Sequence, residues 1–232
     1  MPAPEADVRD DPAARLRERL ARTIPGARLA PRVLPLAPSL SLWLLTEDYP
    51  RGPLPAEVVA AVTARPAYWA FCWAAGQALA ALILERPELV RGRRVLDFGA
   101  GSGVAGIAAA RAGAARVVAC DVDPDARLAC AANAELCGVS IEIADELAAA
   151  GPCDLALLAD VLYDRENLPL LGALDGCCGE VLLADARVRP ESLPAWECFA
   201  TGEARTLPDL DESPLYGTVH FYRRNPAPSE AP

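Results

Sequence analysis

Residues Val95-Leu96-Asp97-Phe98-Gly99-Ala100-Gly101-Ser102-Gly103 join a short apolar run, one carboxylate and three alternate glycines. Glycines at that spacing let a backbone turn tightly and approach a ligand with no Cβ in between, and a helix starting behind them offers unpaired N–H groups and a positive dipole end. A nucleoside-type ligand is expected there. Gly101, Gly103 and Gly106 also spell G-x-G-x-x-G, the pattern in which a helix N-terminus holds a pyrophosphate. Asp97 weighs against that reading, because a carboxylate beside the loop repels phosphate and attracts a cationic or amine-bearing ligand. S-adenosylmethionine, with a sulfonium and an α-amino group but no phosphate, fits the charge.

Further carboxylates stand at the ends of apolar runs. Arg116-Val117-Val118-Ala119-Cys120 ends on Asp121, the place where a Rossmann-type fold puts the acid that binds ribose hydroxyls. Asp123 precedes Pro124 and reads as an N-cap with proline at the first helical position. Asp145 follows Ile141-Glu142-Ile143-Ala144 and is expected either to accept from an adenine amino group or to cap the next helix. Asp160 closes Leu155-Ala156-Leu157-Leu158-Ala159 at the mouth of the cleft, with Tyr163 three residues on. Asp185 ends a later strand and reads as a surface cap, and His220 as a packed or edge-strand residue.

These side chains need a scaffold. Asp11 and Pro12 begin an amphipathic helix to Arg22 with Leu16 and Leu20 on one face, after residues 1–10, which are expected to be disordered. Residues 39–45 read as a strand, 55–63 and 73–84 as helices. Strands at 94–98, 116–120, 140–144, 154–159 and 179–184 alternate with helices at 103–112, 124–137 and 166–173, and a last strand lies near 217–223. That alternation implies an α/β fold, a mostly parallel sheet with helices on both faces and ligands at the carboxyl ends of the strands. The expected organisation is an N-terminal extension over 1–38 and one domain over 39–232.

Composition narrows the class. With 232 residues and 53% hydrophobic content the chain can bury one sizeable core. A formal charge of −10 argues against a nucleic-acid binder and suits a basic protein or peptide partner. No run is long enough for a membrane span and no targeting peptide is visible, so a cytoplasmic monomer is expected. The eight cysteines show neither C-x-x-C nor metal-ligand spacing and read as reduced, with no metal site and with Cys177-Cys178 as loop packing. The chain contains no lysine at all.

Tyr68-Trp69-Ala70-Phe71-Cys72-Trp73 places four aromatics in six residues, and Trp69 and Trp73, four apart, could line one helical face near a cation. Together with Gly76-Gln77, the glycine loop, Asp121-Val122-Asp123-Pro124 and Asp160-Val161-Leu162-Tyr163, this stretch resembles the class I, seven-β-strand S-adenosylmethionine-dependent methyltransferases. Within them it is similar to the protein-lysine methyltransferases of the electron-transfer flavoprotein β-subunit and their ribosomal protein L11 methyltransferase relatives. The resemblance spans about residues 30–224 and implies a Rossmann-like seven-stranded sheet. It also implies that Asp97, Gly99, Gly101, Ser102 and Gly103 form the cofactor loop and Asp121 takes the ribose. By the same resemblance Trp69 or Trp73 flanks the cofactor, and Asp160 and Tyr163 lie beside the methyl group and the acceptor nitrogen. Ala74-Ala75 departs from the Pro-Gly of such relatives. The implied reaction is protein-lysine N-methylation; a small-amine or nicotinamide-like acceptor, an NAD-binding oxidoreductase and a non-catalytic nucleotide-binding module are the other readings.

Overall fold

The computed structural model describes residues 11–49, 52–53, 55–163 and 165–224. The segment 1–10 that sequence marks as disordered therefore lies outside the described residues. Chain order is α1 (Pro12–Thr23), β1 (Leu29–Val33), β2 (Ser41–Leu45), α2 (Ala56–Ala64), α3 (Ala74–Glu85), β3 (Arg94–Phe98), α4 (Val104–Arg111), β4 (Arg116–Cys120), α5 (Pro124–Leu136) and β5 (Glu142–Ala144). It continues with α6 (Leu147–Ala150), β6 (Leu155–Ala159), α7 (Leu170–Ala173), β7 (Val181–Asp185), β8 (Glu197–Glu203) and β9 (Thr218–Arg224).

Seven strands form one sheet in the order β5-β4-β3-β6-β7-β9-β8. The first five run parallel, and β9 runs antiparallel between β7 and β8. Because side chains alternate across a strand, Val95, Val117, Leu155 and Leu157 face the layer holding α3 and α4, whereas Leu96, Val118, Ala156 and Leu158 face the opposite one. Each fully buried leucine contributes about 1.5–3 kcal/mol. Strand order reverses around β3, so the carboxyl ends of β3 and β6 frame the crevice where such sheets bind ligands.

The caps expected from sequence are in place. Asp11 and Asp123 accept from the N–H groups of Ala13 and Asp125, each at 2.9 Å, with proline in the first helical turn. Gly138 follows α5 at φ +65°, a left-handed conformation that ends the helix.

Several features differ from expectation, among them β8, where the sequence reading places no element. The boundary expected at 38/39 runs through a hairpin, since Leu29–Val33 pairs antiparallel with Ser41–Leu45. Leu16 and Leu20 of α1 bury with Leu29, Leu45 and the Ala126–Ala132 face of α5, so the N-terminal segment covers that helix. The helix expected over 166–173 is a 3₁₀ turn at Arg165–Asn167 followed by the single turn of α7. Cys153 and Cys178, bridged in parallel just ahead of β6 and β7, form a disulfide with Cα atoms 4.7 Å apart, which corrects the reading of eight reduced thiols. No helix among the described residues is long and apolar enough to cross a membrane.

Candidate active site

The glycine loop follows β3 directly. Gly99, Gly101 and Gly103 have φ of +67°, +54° and +77°, which an L side chain rarely adopts. Gly103 lies against Cys130 of α5, and an added Cβ would meet that cysteine's backbone at 3.2 Å. A Cβ at Gly101 would meet nothing within 4 Å and would project into open space. Asp97, Gly99, Ala100, Gly101 and Ser102 share one cleft with Trp73 and Gly76 from the start of α3 and Ala159 from the end of β6.

Asp97 is 3% exposed and accepts from the Gly106 N–H at 2.8 Å, tying the strand to the first turns of α4. Burial pushes its carboxyl up to about 7, despite that hydrogen bond, and nearby Asp121 adds to the rise. A cation entering the cleft would favour the ionised form. Asp121 accepts from Gly101 N–H at 2.8 Å through one oxygen and from Asp123 N–H at 2.9 Å through the other. Each oxygen keeps a second lone pair. Burial raises its carboxyl from the ordinary range.

Asn133, fully buried in α5, is a link that sequence reasoning missed. Its Nδ2 donates to Ser102 O at 2.8 Å and its Oδ1 accepts from Trp43 N–H at 2.7 Å, joining the glycine loop to the N-terminal hairpin. A polar residue amid the alanines of α5 was the available signal.

The aromatic stretch is not one helical face. Tyr68–Ala70 is a 3₁₀ turn, Phe71 is extended at φ −124° and ψ 151°, and Trp73 is the residue that precedes α3. Trp69 is consequently 2% exposed and packs with Leu16, Leu20 and Ala129, away from the cleft that Trp73 lines. Trp73 donates its indole N–H to Tyr68 O at 2.9 Å, and the Tyr68 ring stands 5.8 Å from Trp73 and 5.5 Å from Tyr163. Tyr163, 57% exposed, thus forms a rim with Tyr68 and Trp73. Asp145 is exposed just past β5; α6 begins after Glu146 with no side-chain cap bond, so the capping alternative has no hydrogen bond behind it.

Asp160 lies one residue beyond Ala159. Its φ of +54° is uncommon for a residue with a side chain and aims the carboxylate back toward α3, where Oδ2 accepts from Ala75 N–H at 2.9 Å. Oδ1 is buried with no hydrogen-bond partner, and Arg187 Nη1 stands 3.5 Å away. Burial, and then Asp185, push the carboxyl up to about 7. Asp185 corrects its surface-cap reading: it is 1% exposed, although its Oδ1 does accept from the Arg187 and Val188 N–H groups at 2.7 and 2.9 Å. The signal was present, because β6 and β7 end in the same tetrapeptide, Leu-Leu-Ala-Asp, and pair Leu158 with Leu183 and Ala159 with Ala184. His220 faces Asp185 from β9, an interior strand, so it is no edge residue.

Residues 78–163 match the family model described as Ribosomal protein L11 methyltransferase (PrmA). Over 108 residues the chain is 44% identical to the electron transfer flavoprotein beta subunit lysine methyltransferase of Xenopus laevis, covering 45% of this chain and 44% of that one. The Homo sapiens protein of the same name is 42% identical over 103 residues, 43% of this chain and 39% of that one. The chain therefore spans less than half the length of these curated relatives. Among solved structures, the ribosomal protein L11 methylase from Lactobacillus delbrueckii subsp. bulgaricus aligns with a TM-score of 0.51 at 24% identity over 66% of this chain and 79% of that one. The Thermus 16S rRNA N2 G1207 methyltransferase RsmC, solved with AdoMet and guanosine, aligns with a TM-score of 0.51 at 17% identity over 87% of this chain and 51% of that one. The chain has the Rossmann-like fold of these methyltransferases, and over part of its length it is similar to the PrmA model and to the electron transfer flavoprotein beta subunit lysine methyltransferases.

Proposed function

We propose that the protein is an S-adenosylmethionine-dependent protein-lysine N-methyltransferase whose acceptor is the electron-transfer flavoprotein β-subunit. The observation that carries the reading is Asp160: a buried carboxylate with one oxygen that takes no hydrogen bond, one residue beyond the Ala159 wall of the glycine-loop cleft. The acceptor is drawn from relatives at 42–44% identity that bear that activity in their names. The cofactor is supported by the open face of Gly101 and by the buried carboxylate of Asp97, which suits a cationic ligand better than a pyrophosphate.

In this reading Asp97, Gly99, Gly101, Ser102, Gly103 and Trp73 hold the cofactor's methionine end, Asp121 its ribose and Asp145 its adenine. S-adenosylmethionine supplies a methyl group on a sulfonium, a leaving group that needs no protonation. The chain's work is then positioning and desolvation. Asp160 Oδ1 accepts an N–H of the incoming amine and so fixes the direction of its lone pair. A lysine amine is mostly protonated near neutral pH and must lose a proton first. Asp160, raised to about 7, is matched to take it, directly or through water. Tyr163, Tyr68 and Trp73 form an aromatic rim that attracts a cationic side chain. Six free thiols among the eight cysteines support a cytoplasmic protein, and we take it to act as a monomer.

The test is transfer of label from radiolabelled S-adenosylmethionine. Label in the recombinant flavoprotein subunit, lost when its lysines are blocked, is expected. Label in a small-amine fraction instead would replace the acceptor, and calorimetric binding of NAD without binding of S-adenosylhomocysteine would remove the whole reading.

A further inference from the structure

Two identical strand ends place two buried carboxylates, Asp160 and Asp185, side by side at the acceptor end of the cleft. They are not equally supported. Asp185 Oδ1 takes two backbone N–H groups, whereas Asp160 has the Ala75 N–H on Oδ2 and no hydrogen bond on Oδ1. Like charges this close in a low-dielectric site resist joint ionisation. The groups facing Asp160 are the Cys72 thiol and Ala75 N–H from the α3 side, Asp185 from β7, Arg187 just after it and Glu212 from the segment before β9, with His220 behind Asp185. Arg187 is the cation among them.

Arg187 is also held. Its Nη2 donates to Glu212 Oε1 at 2.8 Å, its guanidinium carbon lies 4.8 Å from the centre of the Tyr216 ring, and Glu212 is itself held by the Thr206 hydroxyl. One arm of a rigid planar fork is fixed, and the other is aimed at Asp160. Resting on the proposed function, we propose that Arg187 is a positioning residue: anchored by Glu212 and Tyr216, it is the counter-ion that keeps Asp160 a carboxylate beside Asp185 so that Asp160 can receive the acceptor amine. The anchor lies in the wall of a cavity of about 520 Å³ lined mostly by the segment 203–217, with Pro35, Leu36 and Gln77. The segment that shapes this cavity therefore also sets the charge of the residue that meets the amine.

The decisive experiment follows the Asp160 carboxyl by carbon-13 NMR across pH in the full chain, assigned with Asp160→Asn, and needs no acceptor. In Arg187→Gln the titration midpoint is expected to rise by about one pH unit, the lower end of the range for losing a nearby opposite charge, because Arg187 is 30% exposed. Arg187→Lys, which keeps the charge without the fork, is expected to restore most of it. Arg187→Met, which keeps an apolar stem over Tyr216, serves as a second neutral variant should the first fail to fold. An unmoved midpoint in the neutral variants, or a lysine variant that behaves like them, overturns the proposal. With the flavoprotein acceptor, the acid limb of kcat/KM should move with the midpoint, and a uniform loss at every pH would mark a merely structural residue. If the wild type labels no protein, the proposed function fails while the carboxyl titration still decides the role of Arg187.

Discussion

The two halves of the cleft are built on different principles. On the glycine-loop side, Asp97, Asp121 and Asp123 each place an oxygen on a backbone N–H between two and twenty residues away, so its carboxylates are satisfied within one stretch of chain, with Asn133 as a longer tie. On the side of Asp160, parts come from residues 68–77, 160–163, 185–188 and 204–216, and three buried polar atoms take no hydrogen bond: Asp160 Oδ1, which faces Arg187, Asp185 Oδ2 and His220 Nδ1. The cradle's carboxylates are hydrogen-bonded as folded, whereas the assembled side keeps buried acceptors without a hydrogen bond, of which Asp160 Oδ1 is in the proposed function the atom that meets the amine.

The sharpest way to break this contrast is Asp160→Asn. Methyl transfer is expected to fall at least about 100-fold, the usual scale for removing a positioned acid or base, while calorimetric affinity for S-adenosylhomocysteine changes less than about threefold. A loss confined to cofactor affinity would place Asp160 in the cradle instead. Next in size is Gly99→Ala, at the seam between the halves. At φ +67° the new Cβ would sit 2.7 Å from Val161 Cγ1, so a loss of about 1–3 kcal/mol in thermal or denaturant unfolding is expected, and Val161→Ala should recover the clash but not the backbone strain. Asp121→Ala removes the acceptor of Gly101 N–H and should weaken S-adenosylhomocysteine roughly tenfold, about 1.4 kcal/mol, with less effect in Asp121→Asn.

The gentlest test is pH. Asp97 and Asp160 are both raised to about 7 in the folded protein, so the fold binds more protons than the unfolded chain above pH 4. Their contribution to stability is full below about pH 4 and is lost as pH rises through 7. The melting temperature of the ligand-free protein should therefore be lower at pH 8 than at pH 5, and Asp160→Asn should flatten that slope. A profile that rises over the same interval would count against the two raised carboxyls, since only His220, lowered by burial, pulls in that direction among the groups of the Asp160 side.

What could be read from the chain follows the same division. Caps at Asp11 and Asp123 and the strand-to-glycine turn after Asp97 were legible because their partners lie two to nine residues away. Trp69 was misplaced because a spacing of four implies a shared face only on a helix, and Phe71 breaks the chain into a turn and an extended residue. β1 and β8 escaped notice for another reason. Leu29–Val33 contains a proline, and Glu197–Glu203 has mostly half-exposed side chains and an irregularity between Cys198 and Ala200, so each is a strand chiefly through its partner. The repeated Leu-Leu-Ala-Asp was visible, but that the two copies lie in register depends on strand order, which pairs residues 25 apart.

The joint between the aromatic turn and the segment before β9 has a consequence in exchange kinetics. Cys72 N–H donates to Leu207 O, and Leu207 N–H returns to Cys72 O, both at 2.8 Å, while Gln77 Nε2 reaches Arg205 O nearby at 2.8 Å. Two amides in otherwise irregular chain are thus locked as a single rung of ladder. Their deuterium uptake should be as slow as that of strand amides, making this rung a clock for how often the segment before β9 parts from the aromatic turn.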